Sequence, residues 1–139
     1  MIIVQSSHGK PYSYRVMIVE DEQIIALAMR KMLMNLGCEV CAEAATGEAA
    51  VAEAAKGRPD VVFMDIMLEG EMDGVEAAHR ITAEYEVPVV FATAFADEDT
   101  KSRAMAVSPV AFVAKPLDTR DLSAILEKLP NFKPGREKA

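Results

Sequence analysis

Apolar and polar positions in this chain alternate between two regimes: short apolar blocks and longer stretches of helical period. The blocks are Arg15-Val16-Met17-Ile18-Val19, Val61-Val62-Phe63-Met64, Val87 to Thr93 and Pro109 to Lys115. A run of this length, bounded by turn residues, reads as a strand buried on both faces. Glu39-Val40-Cys41-Ala42-Glu43-Ala44 alternates instead, as an edge strand does. Pro88 is tolerable only near the start of its strand.

Between these blocks the period is helical. From Glu22, the residues Ile25, Ala28, Met29, Met32, Leu33 and Leu36 share one face, and Gly37 stops the helix. Thr46 caps an alanine-rich helix to about Lys56, with Gly57 as its end signal. Asp73-Gly74-Val75-Glu76 opens a third helix that turns Val75, Ala78 and Ile81 inward. Asp97 or Asp99 caps a fourth, running to about Ala106. Asp118 caps a fifth, with Leu122, Ile125, Leu126 and Leu129 on one face and Pro130 as terminator. Five strands alternating with five helices predict an α/β fold, a doubly wound parallel sheet with right-handed crossovers. Residues 15–130 form one domain in this reading. Residues 1–14 are expected to be a flexible arm, and residues 131–139 a flexible tail.

The net charge of −7 argues against a nucleic-acid-binding surface, which needs Lys and Arg in excess. No apolar stretch approaches a membrane span, and Met1-Ile2-Ile3-Val4 is too short for a signal-peptide core, so a cytoplasmic protein is expected. Cys38 and Cys41 form a C-x-x-C, but no second Cys or His pair completes a zinc site. In a strand, residues three apart point to opposite faces, so the two read as strand residues rather than a redox pair. His79 lies in an ordinary amphipathic helix and reads as a surface residue.

Four strand ends carry polar residues: Glu20-Asp21, Asp65, Thr93 and Lys115. Parallel strands bring all of them to the carboxyl edge of the sheet, where open α/β folds bind ligands. Two like charges about 4 Å apart repel by roughly 4 kcal/mol at an effective dielectric of 20. Three carboxylates there call for a counter-charge. Oxygen ligands without His or Cys suit Mg²⁺ or Mn²⁺. The charges of Glu20, Asp21, Asp65, Lys115 and one such cation sum to zero. Asp65 is then a candidate nucleophile for a phosphoryl group, Lys115 a point charge for a phosphate oxygen and Thr93 a hydroxyl donor.

With Val19-Glu20-Asp21-Glu22, Met64-Asp65-Ile66, Met72-Asp73-Gly74, Ala92-Thr93-Ala94 and Ala114-Lys115-Pro116, the chain from Val16 to Leu129 resembles the receiver domain of two-component response regulators. The resemblance implies a flavodoxin-like (βα)5 fold with strand order 2-1-3-4-5. It implies Asp65 as phosphoacceptor, and Glu20, Asp21, Asp65 and the Met67 backbone carbonyl as ligands of Mg²⁺. It implies Lys115 as phosphoryl-binding residue, Thr93 and Phe112 as switch residues, and a cis Lys115-Pro116 bond. No organic cofactor is expected, because the first strand leads into acidic residues rather than a glycine-rich loop.

The implied activity is that of a phosphoacceptor with at most slow self-phosphorylation and self-dephosphorylation, not of an enzyme. The implied partners are a sensor histidine kinase or phosphotransfer protein, and a downstream protein reached through the fourth helix, fifth strand and fifth helix. That face is also where a homodimer could form. With no output domain after Leu129, a stand-alone receiver is expected. Three departures stand out: a loop from Asp65 to Gly74 one residue longer than usual and without proline, Phe112 where Tyr is common, and bulky Phe95 two residues after Thr93. Met67 stands where an aspartate-based phosphatase would carry its general acid. The remaining alternative is a receiver-like interaction module that is never phosphorylated.

Overall fold

The computed structural model describes residues 12–131. Five strands and five helices alternate: β1 Arg15–Val19, α1 Gln23–Asn35, β2 Glu39–Ala44, α2 Gly47–Gly57, β3 Val61–Met64, α3 Gly74–Tyr85, β4 Val89–Thr93, α4 Glu98–Met105, β5 Ala111–Ala114 and α5 Thr119–Leu126. All strand pairs are parallel, and their order is β2-β1-β3-β4-β5. This is the doubly wound, flavodoxin-like arrangement expected from the sequence.

The sheet separates two apolar layers. On one side Met17, Val19, Val62, Met64 and Phe91 pack with Ala50, Ala54, Val75, Ala78 and Ile81 of α2 and α3. On the other, Val16, Ile18, Phe63 and Val90 pack with Met29 and Leu33 of α1 and Leu122, Ile125 and Leu126 of α5. Each central strand thus sends alternate residues into opposite layers.

Local signals place most helix ends. Thr46, Asp73, Asp97 and Asp118 each accept a backbone N–H three residues on, and Asp118 and Asp121 form a reciprocal capping box. Of the two caps open for α4, Asp97 is used. Gly37 ends α1 with φ of 102°.

Several expectations are corrected. Gly57 is the last helical residue of α2, and Arg58, not a glycine, takes the left-handed conformation with φ of 46°. The Arg15 guanidinium holds this turn by donating to the Gly57 and Arg58 carbonyls at 2.5 and 3.1 Å. β4 and β5 begin two residues later than their apolar runs, after Pro88 and after Pro109-Val110.

In α1 the fully buried line is Ala26, Met29 and Leu33, while Ala28 is exposed and Ile25, Met32 and Leu36 are half-buried. The apolar arc of α1 is wider than the core it covers, and the helix settles with one shoulder of that arc outside. β2 also departs from strict alternation. Its register against β1 runs Val16↔Val40 and then Met17↔Ala42, skipping Cys41. The bulge sends Val40 into the α1–α5 layer and Ala42 into the α2–α3 layer.

Tyr12 and Tyr14, assigned to the N-terminal arm, pack against the α1–α5 layer. The rest of that arm, residues 1–11, and the tail from 132 lie outside the described residues. Among the described residues, no helix is long and apolar enough to cross a membrane.

Candidate functional site

The site is the carboxyl edge of β1, β3, β4 and β5. β1 ends at Val19, and the Glu20 N–H still donates to the Ala44 carbonyl of β2 at 2.9 Å. β3 ends at Met64, and the Asp65 N–H donates to the Val19 carbonyl at 3.0 Å. The Lys115 N–H donates to the Thr93 carbonyl at 2.9 Å. The sheet's hydrogen-bond ladder therefore runs into the backbone of Glu20, Asp65 and Lys115, and their side chains leave one edge together.

Glu20, Asp65 and Thr93 are buried, at 4%, 5% and 2% exposure. Among the described residues these are the buried charged and polar ones in an otherwise apolar interior, so their partners decide what the site can do. Lys115 Nζ donates to Glu20 Oε1 at 2.7 Å and to Asp65 Oδ2 at 3.1 Å. The remaining carboxylate oxygens take backbone donors: Glu20 Oε2 accepts from the Glu22 N–H at 3.1 Å, and Asp65 Oδ1 from the Met67 N–H at 3.2 Å. Glu20, Asp21 and Asp65 each offer one oxygen, all lying within 4.8 Å of one another.

Burial pushes the Glu20 carboxyl above the usual carboxylate range, against the pull of Lys115 and the Glu22 N–H and with the help of the Asp65 charge. Burial also works against the Lys115 charge, but the hydrogen bonds and charges of Glu20 and Asp65 outweigh it and hold Lys115 above the ordinary lysine value. One ammonium serves a group of three carboxylates. The donor set is all oxygen, and its charge deficit fits a divalent cation.

Thr93 is at the site, but its hydroxyl donates to the Phe95 carbonyl at 3.2 Å. The half-buried Phe112 ring lies with its centroid 6.3 Å from that of Phe91 and inclined by 53°, and Lys101 Nζ sits 5.7 Å from the Phe112 ring centre. Met67 and Phe95 flank the site with side chains 61% and 70% exposed. Lys115-Pro116 is cis.

Two contributors were not legible as site residues. Gly74 lies so close to Asp65 that a Cβ would overlap the Asp65 carbonyl oxygen, and its N–H donates to the Ile66 carbonyl at 2.9 Å. The extended Asp65–Gly74 loop turns back on itself there, and only glycine permits the approach. Asp73, expected only to cap α3, also takes a two-pronged hydrogen bond from Arg103 of α4, at 3.0 and 3.2 Å. The pair is thirty positions apart, and no local spacing signals it. His79 is exposed on α3.

Residues 16–127 match the response regulator receiver domain family. The chain belongs to this family. Among its relatives, this receiver domain is 36% identical over 113 residues to the transcriptional regulatory protein PdtaR of Mycobacterium tuberculosis, covering 81% of this chain and 55% of that protein. It is 30% identical over 114 residues to the phyllosphere-induced regulator PhyR of Methylorubrum extorquens, covering 81% of this chain and 42% of that protein. The chain thus spans about half the length of these curated relatives.

Among solved structures, the receiver domain of a modulated diguanylate cyclase from Desulfovibrio desulfuricans superposes with a TM-score of 0.82 at 38% identity, covering 86% of this chain and 94% of that one. The receiver domain of PhyR from Erythrobacter litoralis gives 0.73 at 28% identity, covering 87% and 92%.

Proposed function

We propose that this receiver domain is a phosphoacceptor whose Asp65 takes a phosphoryl group from a histidine kinase or a histidine phosphotransfer protein. The observation that carries this reading is the surroundings of Asp65. It is a buried carboxylate at a strand end, with two further carboxylates within 4.8 Å and an ammonium 3.1 Å from one of its oxygens.

In the transfer, an Asp65 carboxylate oxygen attacks phosphorus. The bond between phosphorus and the donor imidazole nitrogen breaks, and its electron pair leaves with that nitrogen. Positioning and charge stabilisation are nearly all such a step asks of a protein. Lys115 supplies one positive charge. Glu20, Asp21, Asp65 and the Met67 carbonyl are the groups that would hold Mg²⁺ or Mn²⁺. When bound, the cation neutralises charge developing on the phosphoryl oxygens. Met67 brings no general acid, so the acyl phosphate is a signalling state rather than a turnover intermediate.

The readout follows from Thr93 and Phe112. A phosphoryl oxygen on Asp65 is a stronger acceptor than the Phe95 carbonyl for the Thr93 hydroxyl. Turning Thr93 inward frees space toward which Phe112 can move, away from Lys101. The surface formed by α4, β5 and α5 is then the two-state element a downstream protein or a second copy reads. The unit doing this is residues 15–130, working in the cytoplasm where such kinases deliver phosphate.

The test is intact-mass analysis after acetyl phosphate treatment, with and without Mg²⁺. Wild type gains the mass of one phosphoryl group only with the cation, and Asp65→Asn gains none. A wild type that gains nothing, with an unchanged Asp65→Asn phenotype, leaves the unphosphorylated interaction module as the better reading.

A further inference from the structure

The two ends of α4 are held to the domain by different means. The helix is polar, and Ala104 is its one buried residue. An open groove of about 400 Å³ lies between α4 and α3, lined by Val75, Glu76 and His79 on one side and by Arg103, Ala106 and Val107 on the other. Arg103 reaches from α4 to the start of α3. Its Nη1 and Nη2 donate to Asp73 Oδ2 and Oδ1 at 3.0 and 3.2 Å.

This C-terminal attachment runs back to the phosphoacceptor's own backbone. Asp73 is fixed as the cap of α3 by the Glu76 N–H at 2.9 Å. Next to it, Gly74 is wedged against the Asp65 carbonyl, with its N–H on the Ile66 carbonyl. Ala104 and Val107 add packing against the α2–α3 layer. None of these contacts involves the Thr93 hydroxyl or the Phe112 ring. A two-pronged arginine–carboxylate pair fixes orientation as well as distance, so it can hold a position at modest energy.

The N-terminal end is tied to the switch residues instead. Glu98, Asp99 and Lys101 are exposed, and the Asp97 cap bonds only within the helix. Thr93 Oγ1 donates to the Phe95 carbonyl, in the segment leading into α4, at 3.2 Å. Lys101 Nζ lies 5.7 Å from the Phe112 ring centre. Both contacts are lost when Thr93 turns toward Asp65 and Phe112 follows.

We infer that α4 pivots on the Arg103–Asp73 pair. On phosphorylation of Asp65 the segment from Phe95 through Lys101 swings, while the end at Arg103 keeps its place. The inference rests on the phosphoacceptor reading and deepens it. Hinged motions of this kind need one end of the moving element to stay fixed. Arg103, which touches none of the reacting groups, is then a positioning residue of the switch. Without it, the same two broken contacts displace the whole helix rather than tilt it.

The test is amide NMR on the full chain before and after addition of beryllofluoride with Mg²⁺, a stable stand-in for the phosphoryl group. In wild type the shift changes are large from Phe95 to Lys101 and small from Ala104 to Val107. Arg103→Met keeps an apolar stem and removes both prongs. Asp73→Asn keeps a cap for α3 and removes the carboxylate charge. In both variants the changes extend through Val107. A pair that merely stabilises the surface would lower the unfolding midpoint of Arg103→Met and leave the wild-type gradient in place, which overturns the inference. Even changes along α4 in wild type overturn it equally. Changes at the Met67 and Lys115 amides report that Asp65 has taken the phosphoryl mimic, and with them present either result bears on the pivot alone. Without them the phosphoacceptor reading fails, and the pivot fails with it.

Discussion

Lys115 Nζ lies 2.7 Å from Glu20 Oε1 and 3.1 Å from Asp65 Oδ2, so the shorter of its two ion pairs is with Glu20 rather than Asp65. The lysine side chain is only 11% exposed, and its partners are 2% and 6% exposed. Breaking a buried ion pair by removing one member leaves uncompensated charge and costs about 3 kcal/mol or more. Lys115→Met should therefore destabilise the cation-free protein by about that energy, read as a lower urea midpoint with the slope of the transition unchanged.

If the acidic group holds a divalent cation, Mg²⁺ stabilises the native chain by mass action. At ten times its dissociation constant the gain is about 1.4 kcal/mol. Thermal unfolding with increasing Mg²⁺ should show a rising midpoint in wild type. The rise should be larger in Lys115→Met, where the cation replaces the missing ammonium, and absent in a Glu20→Gln/Asp21→Asn double variant.

Gly74→Ala forces a methyl group against the Asp65 backbone carbonyl. The obstacle is main chain and cannot swing aside, so the loop or α3 must shift. A loss of about 3 kcal/mol is expected, at the upper end of overpacking effects. Urea denaturation measures it. Because the displaced group is Asp65 itself, phosphorylation by acetyl phosphate should also fall in the fraction that remains folded.

The Asp73–Arg103 pair predicts an acid-side pH dependence. Burial works against the Asp73 charge, but Arg103 and the Glu76 N–H outweigh it and hold this carboxyl below the usual range. A carboxyl with a folded value below its unfolded one adds stability above the unfolded value and loses it as the pH falls through the folded one. The loss belongs below about pH 4. Both partners are partly exposed, so a double-mutant cycle of Asp73→Asn and Arg103→Ala should give a coupling of about 0.5 kcal/mol at pH 7. That coupling should vanish at the acid end of the titration.

Cys38 and Cys41 should behave as separate thiols. Burial pushes the Cys38 thiol up to about 11, so about one part in a thousand is thiolate at pH 8. Cys38 lies in the α1–α5 layer, while Cys41 Sγ faces α2 beside Gly57. Three extended residues separate them by about 10 Å, beyond the roughly 7 Å limit for a disulfide. Thiol titration at pH 8 should find Cys41 reacting first and Cys38 only on unfolding. Mild oxidation should yield no intrachain bridge.

The order of strands and helices, the caps Thr46, Asp73 and Asp118 and the polar residues at the strand ends were all legible along the chain, and the cap of α4 was narrowed to Asp97 or Asp99. Each depends on neighbours within a few positions: a period of two or about four, a side chain reaching an N–H three residues on, a carboxylate following an apolar run. Local sterics and hydrogen bonding act at that range, so they leave their mark in consecutive residues.

What only the tertiary structure decided are the choices that depend on packing between distant segments. Both Ala26 and Ala28 fit the helical period of α1, and the width of the surface presented by the sheet and α5 chose Ala26. The bulge at Cys41 shifts β2 by one residue to meet β1, although its alternating sequence permits a regular strand. Lys115 prefers Glu20, ninety-five positions away, and Arg103 finds Asp73, because α4 and the edge of the sheet bring them there. Contact energy between groups far apart in sequence exists only once the chain has closed, and no pattern in either partner's own surroundings records it.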